Sequence, residues 1–181
     1  MTFELIGGPE KRDIIQVGYS DSWPSMFQLE HDRIVGALGE KAIRVDHVGS
    51  TSVPGLTAKP IIDIDVSVSD VEDETAYLPA LEAAGYQLRV REPGHRLVRT
   101  PDRSVHVHIC TAGSEWERSH LLFRDWLRSD QSDRDAYAAL KQQLAKRDWP
   151  DMNAYTDAKT SLIVVIIDRA ESWAAATGWA V

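Results

Sequence analysis

Asp63 and Asp65, alternating with β-branched residues in Ile61-Ile62-Asp63-Ile64-Asp65-Val66, are the pair whose types and spacing point most directly to chemistry. Successive side chains of a strand leave opposite faces, so these carboxylates project together, one strand repeat apart. Set among isoleucine and valine, the pair repels itself and is poorly solvated, and a hard divalent cation, Mg²⁺ or Mn²⁺, would relieve both costs. The competing reading is an edge strand whose polar face meets water. Upstream, His47-Val48-Gly49-Ser50-Thr51 closes a strand in a tight turn. Glycine there lets backbone N–H groups approach a phosphate, and Ser50 adds a hydroxyl donor. Gly-Ser alone is an ordinary turn; its weight comes from the Asp-x-Asp strand a dozen residues further on.

Other candidates surround this pair. His106 and His108 in Val105-His106-Val107-His108-Ile109 share a strand face and read either as ligands for Mn²⁺, Zn²⁺ or Fe²⁺ or as hydrogen-bonded polar residues. Lys59 sits between Ala58 and Pro60, a phosphate contact or a surface lysine. Arg89, Arg91, Arg96, Arg99 and Arg103 cluster about a Pro93-Gly94 hairpin, suited either to clamp phosphate or to shield a strand edge. Arg124 and Arg128, four apart on one helix face, either reach a nucleotide or acceptor or tie the helix to the sheet through ion pairs. Tyr137 with Lys141 and Tyr155 with Lys159 repeat the same spacing; no G-x-G-x-x-G turn accompanies them, so packing with a snorkelling lysine is the better account. Cys110 reads as a small apolar core residue.

The elements that must position these residues follow from periodicity. Pro24 suits the first turn of a helix capped by Asp21 or Ser22 and running to Gly39. Strands are predicted over 42–48 and 61–68, a helix over 70–84 ended by Gly85, strands over 86–90 and 97–99, and a strand over 104–110. Three helices are predicted to complete the chain, over 114–129, 133–147 and 154–176. The apolar run 162–167 inside the last also fits a strand, but its stripe continues through Ala170 and Trp173 and outlasts one.

The 181 residues suit one domain, read as spanning 1–181. Twenty Lys plus Arg against 28 Asp plus Glu leave a net charge of -8, which opposes a long nucleic acid or an anionic membrane as partner, and the tryptophans lack the aromatic–cation alternation of a single-strand binder. A single cysteine excludes an internal disulfide and cysteine-rich zinc sites and points to the reducing cytoplasm. No apolar stretch approaches the roughly 18 residues of a membrane helix, and the first residues do not read as a secretory leader.

Strand, Gly-Ser turn, a dozen residues and a hydrophobic strand bearing Asp-Ile-Asp together resemble the signature of the nucleotidyltransferase superfamily. Within it, the segments 47–56, 58–64 and Leu122-Phe123-Arg124-Asp125-Trp126-Leu127-Arg128 are similar to the GrpB family, with further matches from Tyr19 and Trp23-Pro24 to Tyr155 and Lys159. The resemblance implies an α+β nucleotidyltransferase-like fold: a twisted mixed β-sheet covered by helices, with a helical C-terminal region. It also implies that Gly49, Ser50 and Thr51, with Lys59, Arg124 and Arg128, hold a nucleoside triphosphate. Asp63 and Asp65 would then be the catalytic carboxylates and metal ligands, with Mg²⁺ or Mn²⁺ as cofactor. The third carboxylate usual in that superfamily is replaced on the 104–110 strand by His108 and His106, with His108 the preferred ligand. The implied activity moves a nucleoside monophosphate from the triphosphate to a small-molecule or protein acceptor that the motifs leave unspecified. The alternatives are a nucleotide-binding module without turnover and a metal-dependent phosphohydrolase.

Overall fold

A computed structural model describes residues 3–181; the Met1-Thr2 start of the N-terminal stretch read above lies outside the described residues. In chain order the elements are β1 (Glu4–Leu5), α1 (Trp23–Leu38), β2 (Arg44–Val48), β3 (Ile62–Val68), α2 (Leu78–Ala83), β4 (Gln87–Glu92), β5 (His95–Arg99), β6 (Val105–Thr111), α3 (Glu115–Ser129), α4 (Gln131–Ala145), α5 (Met152–Asp157) and α6 (Thr160–Thr177). The strands form one open mixed sheet in the order β1-β4-β5-β6-β3-β2, in which only β3 and β6 run parallel. The α+β class expected from the sequence is the class observed.

Alternation gives the sheet one apolar and one polar face. Ile62, Ile64, Val66 and Val68 of β3 pack with Val105, Val107 and Ile109 of β6 beneath α1 and α2, and all are buried. Their neighbours Asp63, Asp65, His106 and His108 necessarily take the other face, which α3 covers. Because β3 is flanked by β2 and β6, the reading of Asp-x-Asp as a solvated edge strand is corrected.

Two of the predicted helices are divided, and one short strand is unexpected. The helix predicted over 70–84 is broken into a 3-10 turn at Glu74–Ala76 and the short α2. Pro79 has no N–H to extend a helix backwards and disfavours helical backbone at the residue before it. The last predicted helix divides into α5 and α6 after the weak helix formers Thr156 and Asp157. Within α6 the 162–167 run is helical, with Ile166, Ala170 and Ala174 buried on one stripe. Strand β1, only two residues long, leaves no alternation to read.

Buried carboxylates fasten the helical layer. Glu117, at the third position of α3, accepts from the Gly113 N–H (2.6 Å) and from the Ser67 hydroxyl of β3 (2.5 Å), while the α3 N-cap Ser114 accepts from the Glu117 N–H. Asp133, buried in α4, accepts from Trp126 Nε1 (2.8 Å) and from Arg169 of α6. Glu117→Ala would strand the Ser67 hydroxyl and the Gly113 N–H, so it is expected to lower the unfolding free energy by roughly 2–4 kcal/mol in urea denaturation. Glu117→Gln, able to accept only one of the two bonds well, should fall between it and the native chain.

Candidate functional site

The strand register sets the chemical groups in a row. Val48 of β2 lies opposite Asp63, Asp63 beside His106, and His106 opposite Arg99; one repeat further on, Asp65, His108 and Leu97 form a second row. The Gly49 turn thus sits at one end of the first row and Arg99 at the other. A cavity of about 480 Å³ lies over this face, closed by side chains of α3 to α6 and of residues 5–16.

Gly49 is required by contact as well as by conformation. Its φ is 68°, and a Cβ there would stand 2.7 Å from Asp63 Oδ2. Only a hydrogen side chain lets the turn rest against the carboxylate. Ser50, next in the 3-10 turn Ser50–Ser52, accepts a 2.8 Å hydrogen bond from Lys141 Nζ, which also donates to the Thr57 carbonyl. Thr51 is buried, bonded to His47 Nε2 (2.9 Å) and donating to the Ile61 carbonyl (3.1 Å), so it holds the turn.

Three lysines from separate segments converge on this end of the cavity. Lys59 lies 5.3 Å from the Tyr155 ring centre, Lys159 4.7 Å from the same ring, and Lys141 4.8 Å from that of Tyr137. Among the described residues none has a carboxylate within 4 Å. Burial, then mutual repulsion, pushes Lys141 down to about 7 and Lys159 down to about 8; burial likewise lowers Lys59. The cluster thus gathers positive charge without a close carboxylate, bordered by the aromatic faces of Tyr137 and Tyr155.

Asp63 is the open member of the acidic pair, its side chain 29% exposed against 2% for Asp65. Asp63 Oδ1 is 3.5 Å from His108 Nε2 and 3.6 Å from His106 Nδ1. Burial would raise the Asp63 pKa, but His108, His106 and Lys59 outweigh it and hold the carboxyl at about 2. Burial pushes His106 down to about 4, whereas on His108 the bond and charge of Asp63 prevail over burial and raise its pKa. Asp65 accepts from His120 Nδ1 of α3 at 3.0 Å. Behind His108, its Nδ1 lies 3.0 Å from His95 Nε2, and His95 Nδ1 lies 2.6 Å from Glu92. An ionised carboxylate only accepts, so His95 donates to Glu92 and receives from His108 Nδ1, which aims His108 Nε2 at Asp63. Trp116 stacks on His95 with centroids 3.8 Å apart.

Among the described residues, no group of three or more His, Cys, Asp or Glu is arranged to hold a metal ion unaided. The donors do not make a closed protein cage; Asp63, part-exposed to the cavity, could hold a hard cation only together with ligands from outside the chain.

The arginines divide by strand face. Arg91 and Arg96 take the opposite side, paired with Glu74, Glu72 and Glu4. Arg89 and Arg99 line the cavity: Arg99 grips Glu10 with two bonds (2.7 and 3.0 Å), and Arg89 donates to the Ile6 and Gly8 carbonyls. Arg124 and Arg128 stand behind the turn at a second cavity of about 330 Å³, Arg124 on the His47 carbonyl (3.2 Å) and Arg128 on the Ser52 carbonyl (2.9 and 2.8 Å). Both brace the turn from outside the Asp63 cavity. Lys141 and Lys159 had a visible signal in the Tyr-x-x-x-Lys spacing, read above as packing. His95, His120, Glu10 and Arg12 stand at no informative spacing, and only the folded chain brings the last three to the cavity and His95 behind His108.

Known proteins resemble the chain at two levels. The profile described as GrpB protein matches residues 13–169. UPF0157 protein SCO7215 of Streptomyces coelicolor is 52% identical over 169 residues, 93% of this chain and 90% of that protein. The crystal structure of GrpB from Enterococcus faecalis superposes with a TM-score of 0.78 at 33% identity, covering 88% of this chain and 99% of that one. Cid1 poly(U) polymerase with MgGTP bound superposes with a TM-score of 0.51 at 16% identity over 72% of this chain and 44% of that one, a likeness of fold alone. Among the described residues no helix is long and apolar enough to cross a membrane.

Two measurements test this geometry. Gly49→Ala is expected to destabilise by roughly 2–4 kcal/mol, against about 1 kcal/mol for Gly39→Ala, whose φ is also positive but whose Cβ would meet nothing within 4 Å. The lysines give a pH signature: unfolded lysine titrates near ~10.4, so above pH ~7 the unfolded chain binds more protons and the ligand-free protein gains stability as pH rises. Denaturation between pH 7 and 8.5 should show that rise, and Lys141→Met should flatten it.

Proposed function

The chain belongs to the GrpB protein family and has a nucleotidyltransferase-type fold, and from that premise we propose that it transfers a nucleoside monophosphate from a nucleoside triphosphate to a small acceptor. The observation that carries the reading is the convergence of Lys59, Lys141 and Lys159, without carboxylate partners, on the Ser50 end of a cavity that has Asp63 beside it. A polyphosphate chain is the anion whose length and charge match such a run of cations.

In this reading the Gly49 and Ser50 backbone and the Ser50 hydroxyl hold the β- and γ-phosphates, and the three lysines neutralise them. Thr51, Arg124 and Arg128 keep the turn in place by the bonds described above. Asp63 and Asp65 would hold a divalent cation, Asp65 by exchanging its His120 bond, with His108 or His106 completing the shell. A cation bound there neutralises the α-phosphate and orients its oxygens. The acceptor's hydroxyl or amine forms a bond to the α-phosphorus as the bond to the bridging oxygen breaks; pyrophosphate leaves toward the lysines, and the acceptor's proton passes to water. A net charge of -8 does not oppose this substrate, because the positive charge is local to the cavity.

Each nucleoside triphosphate with Mg²⁺ or Mn²⁺ is to be tested for thermal stabilisation and, with a pool of small metabolites, for pyrophosphate release. A favoured triphosphate at about 100 times its Kd should raise the melting temperature by roughly 5–10 °C. Lys141→Met should lose most of that shift, and Asp63→Asn should lose its metal-dependent part and at least ~100-fold in turnover. Stabilisation without pyrophosphate would make the protein a binding module, and release of orthophosphate would make it a hydrolase. No response to any triphosphate would overturn the reading.

A further inference from the structure

The cavity's second cationic cluster is left unused by the triphosphate. Glu10 stands among four guanidiniums: Arg99 grips it, Arg89 is 3.8 Å and Arg103 3.9 Å away, and Arg12 lies within reach of its charge and of that of Lys59. Arg12, Arg89 and Arg99 line the cavity, and Arg103 stands more exposed, outside its lining. Arg99 is satisfied by Glu10, and Arg89 also donates to the Ile6 and Gly8 carbonyls. Arg12, part-buried in the cavity wall, makes no hydrogen bond and no ion pair among the described residues. Arg103 is held at φ 65°, a conformation rare for any residue with a side chain.

The position of this cluster carries the argument. Val48, Asp63, His106 and Arg99 follow one another across the sheet, with the Gly49-Ser50 turn just past Val48, and two strand spacings, roughly 10 Å, separate Asp63 from Arg99. In-line displacement puts the attacking and leaving atoms on opposite sides of the α-phosphorus. With pyrophosphate leaving at the Ser50 and lysine end, the acceptor enters from the Arg99 end. We propose that this acceptor is a small molecule bearing an oxyanion, phosphate or carboxylate, that docks on Arg12 and Arg103 beside the Glu10–Arg99 pair. The proposal rests on the nucleotidyl-transfer reading for the acceptor's role, while the anion site itself stands on the arginine geometry. The transfer is the one written above: the acceptor's hydroxyl or amine bonds to the α-phosphorus, pyrophosphate departs and a proton goes to water, with the oxyanion unchanged.

Calorimetric titration of the full chain with inorganic phosphate and with acetate, each with and without a saturating non-hydrolysable triphosphate analogue and Mg²⁺, tests it. Phosphate or acetate should bind to the analogue-loaded protein, and Arg12→Gln and Arg103→Gln should each weaken that binding at least ~10-fold while analogue affinity changes by less than about twofold. Tighter phosphate binding assigns a phosphorylated acceptor, and equal or tighter acetate binding a carboxylated one. Arg12 makes no side-chain hydrogen bond or ion pair among the described residues, and Arg103 makes only its half-exposed 3.9 Å contact with Glu10, so both variants should melt close to the native chain. Loss of anion binding once the analogue is bound, or unchanged affinity in both variants, would overturn the proposal. If the analogue fails to bind while Arg12-dependent phosphate binding persists, the triphosphate reading falls and the anion site remains.

Discussion

Three ammonium groups drawn into one partly dry cavity repel each other and lose hydration, and much of the site's arrangement answers that cost. Aromatic faces of Tyr137 and Tyr155 border them, the Ser50 hydroxyl and the Thr57 carbonyl take up Lys141, and Asp63 is the nearby anion. No carboxylate stands close enough to neutralise them among the described residues. A protein selected for stability alone would bury leucine or methionine at such positions. Retaining cations with lowered pKa values keeps an attraction in reserve for an anion, and their place beside a Gly-Ser turn and an acidic strand is what the proposal of a polyphosphate guest rests on.

The fold serves that arrangement through the two-residue period of its strands. The residues that bury the apolar face of β3 and β6 also fix Asp63, Asp65, His106 and His108 on the other, and the parallel β3–β6 register sets each acid beside a histidine. Where the superfamily signature leads one to expect a third carboxylate, the chain offers His108, oriented through His95 by Glu92. Glu92 thus acts on the acidic row through two imidazoles, orienting His108 without placing a further negative charge beside Asp63.

What the sequence disclosed and what it hid have physical causes. Strands β2, β3 and β6 were legible because alternation survives in them, and the Gly49–Asp63 contact was foreshadowed by Gly-Ser preceding Asp-x-Asp. The 70–84 helix was overdrawn because apolar spacing was read without the missing N–H of Pro79. The five arginines near the hairpin looked like one strip; in the sheet, alternation along β5 separates Arg96 from Arg99, and a β-bulge between Leu88 and Val90 separates Arg89, at the cavity, from Arg91 on the other face. Lys141 and Lys159 have the same spacing from tyrosine that a packed helix would show, so only their convergence with Lys59 distinguishes the site. His95, His120 and Arg12 come from separate strands, helices and loops, and no local pattern joins them.

The most direct test of the account is whether anion binding recharges the lysines. Titrating a non-hydrolysable triphosphate with Mg²⁺ at pH 8, in two buffers of different ionisation enthalpy, reads the protons exchanged on binding. If phosphates settle on Lys141 and Lys159, whose pKa values lie at about 7 and about 8, binding must raise both and draw protons from the buffer. The account predicts net proton uptake in the native chain and its loss in the Lys141→Met, Lys159→Met double variant. Binding without proton uptake, or uptake that persists in the double variant, would contradict it.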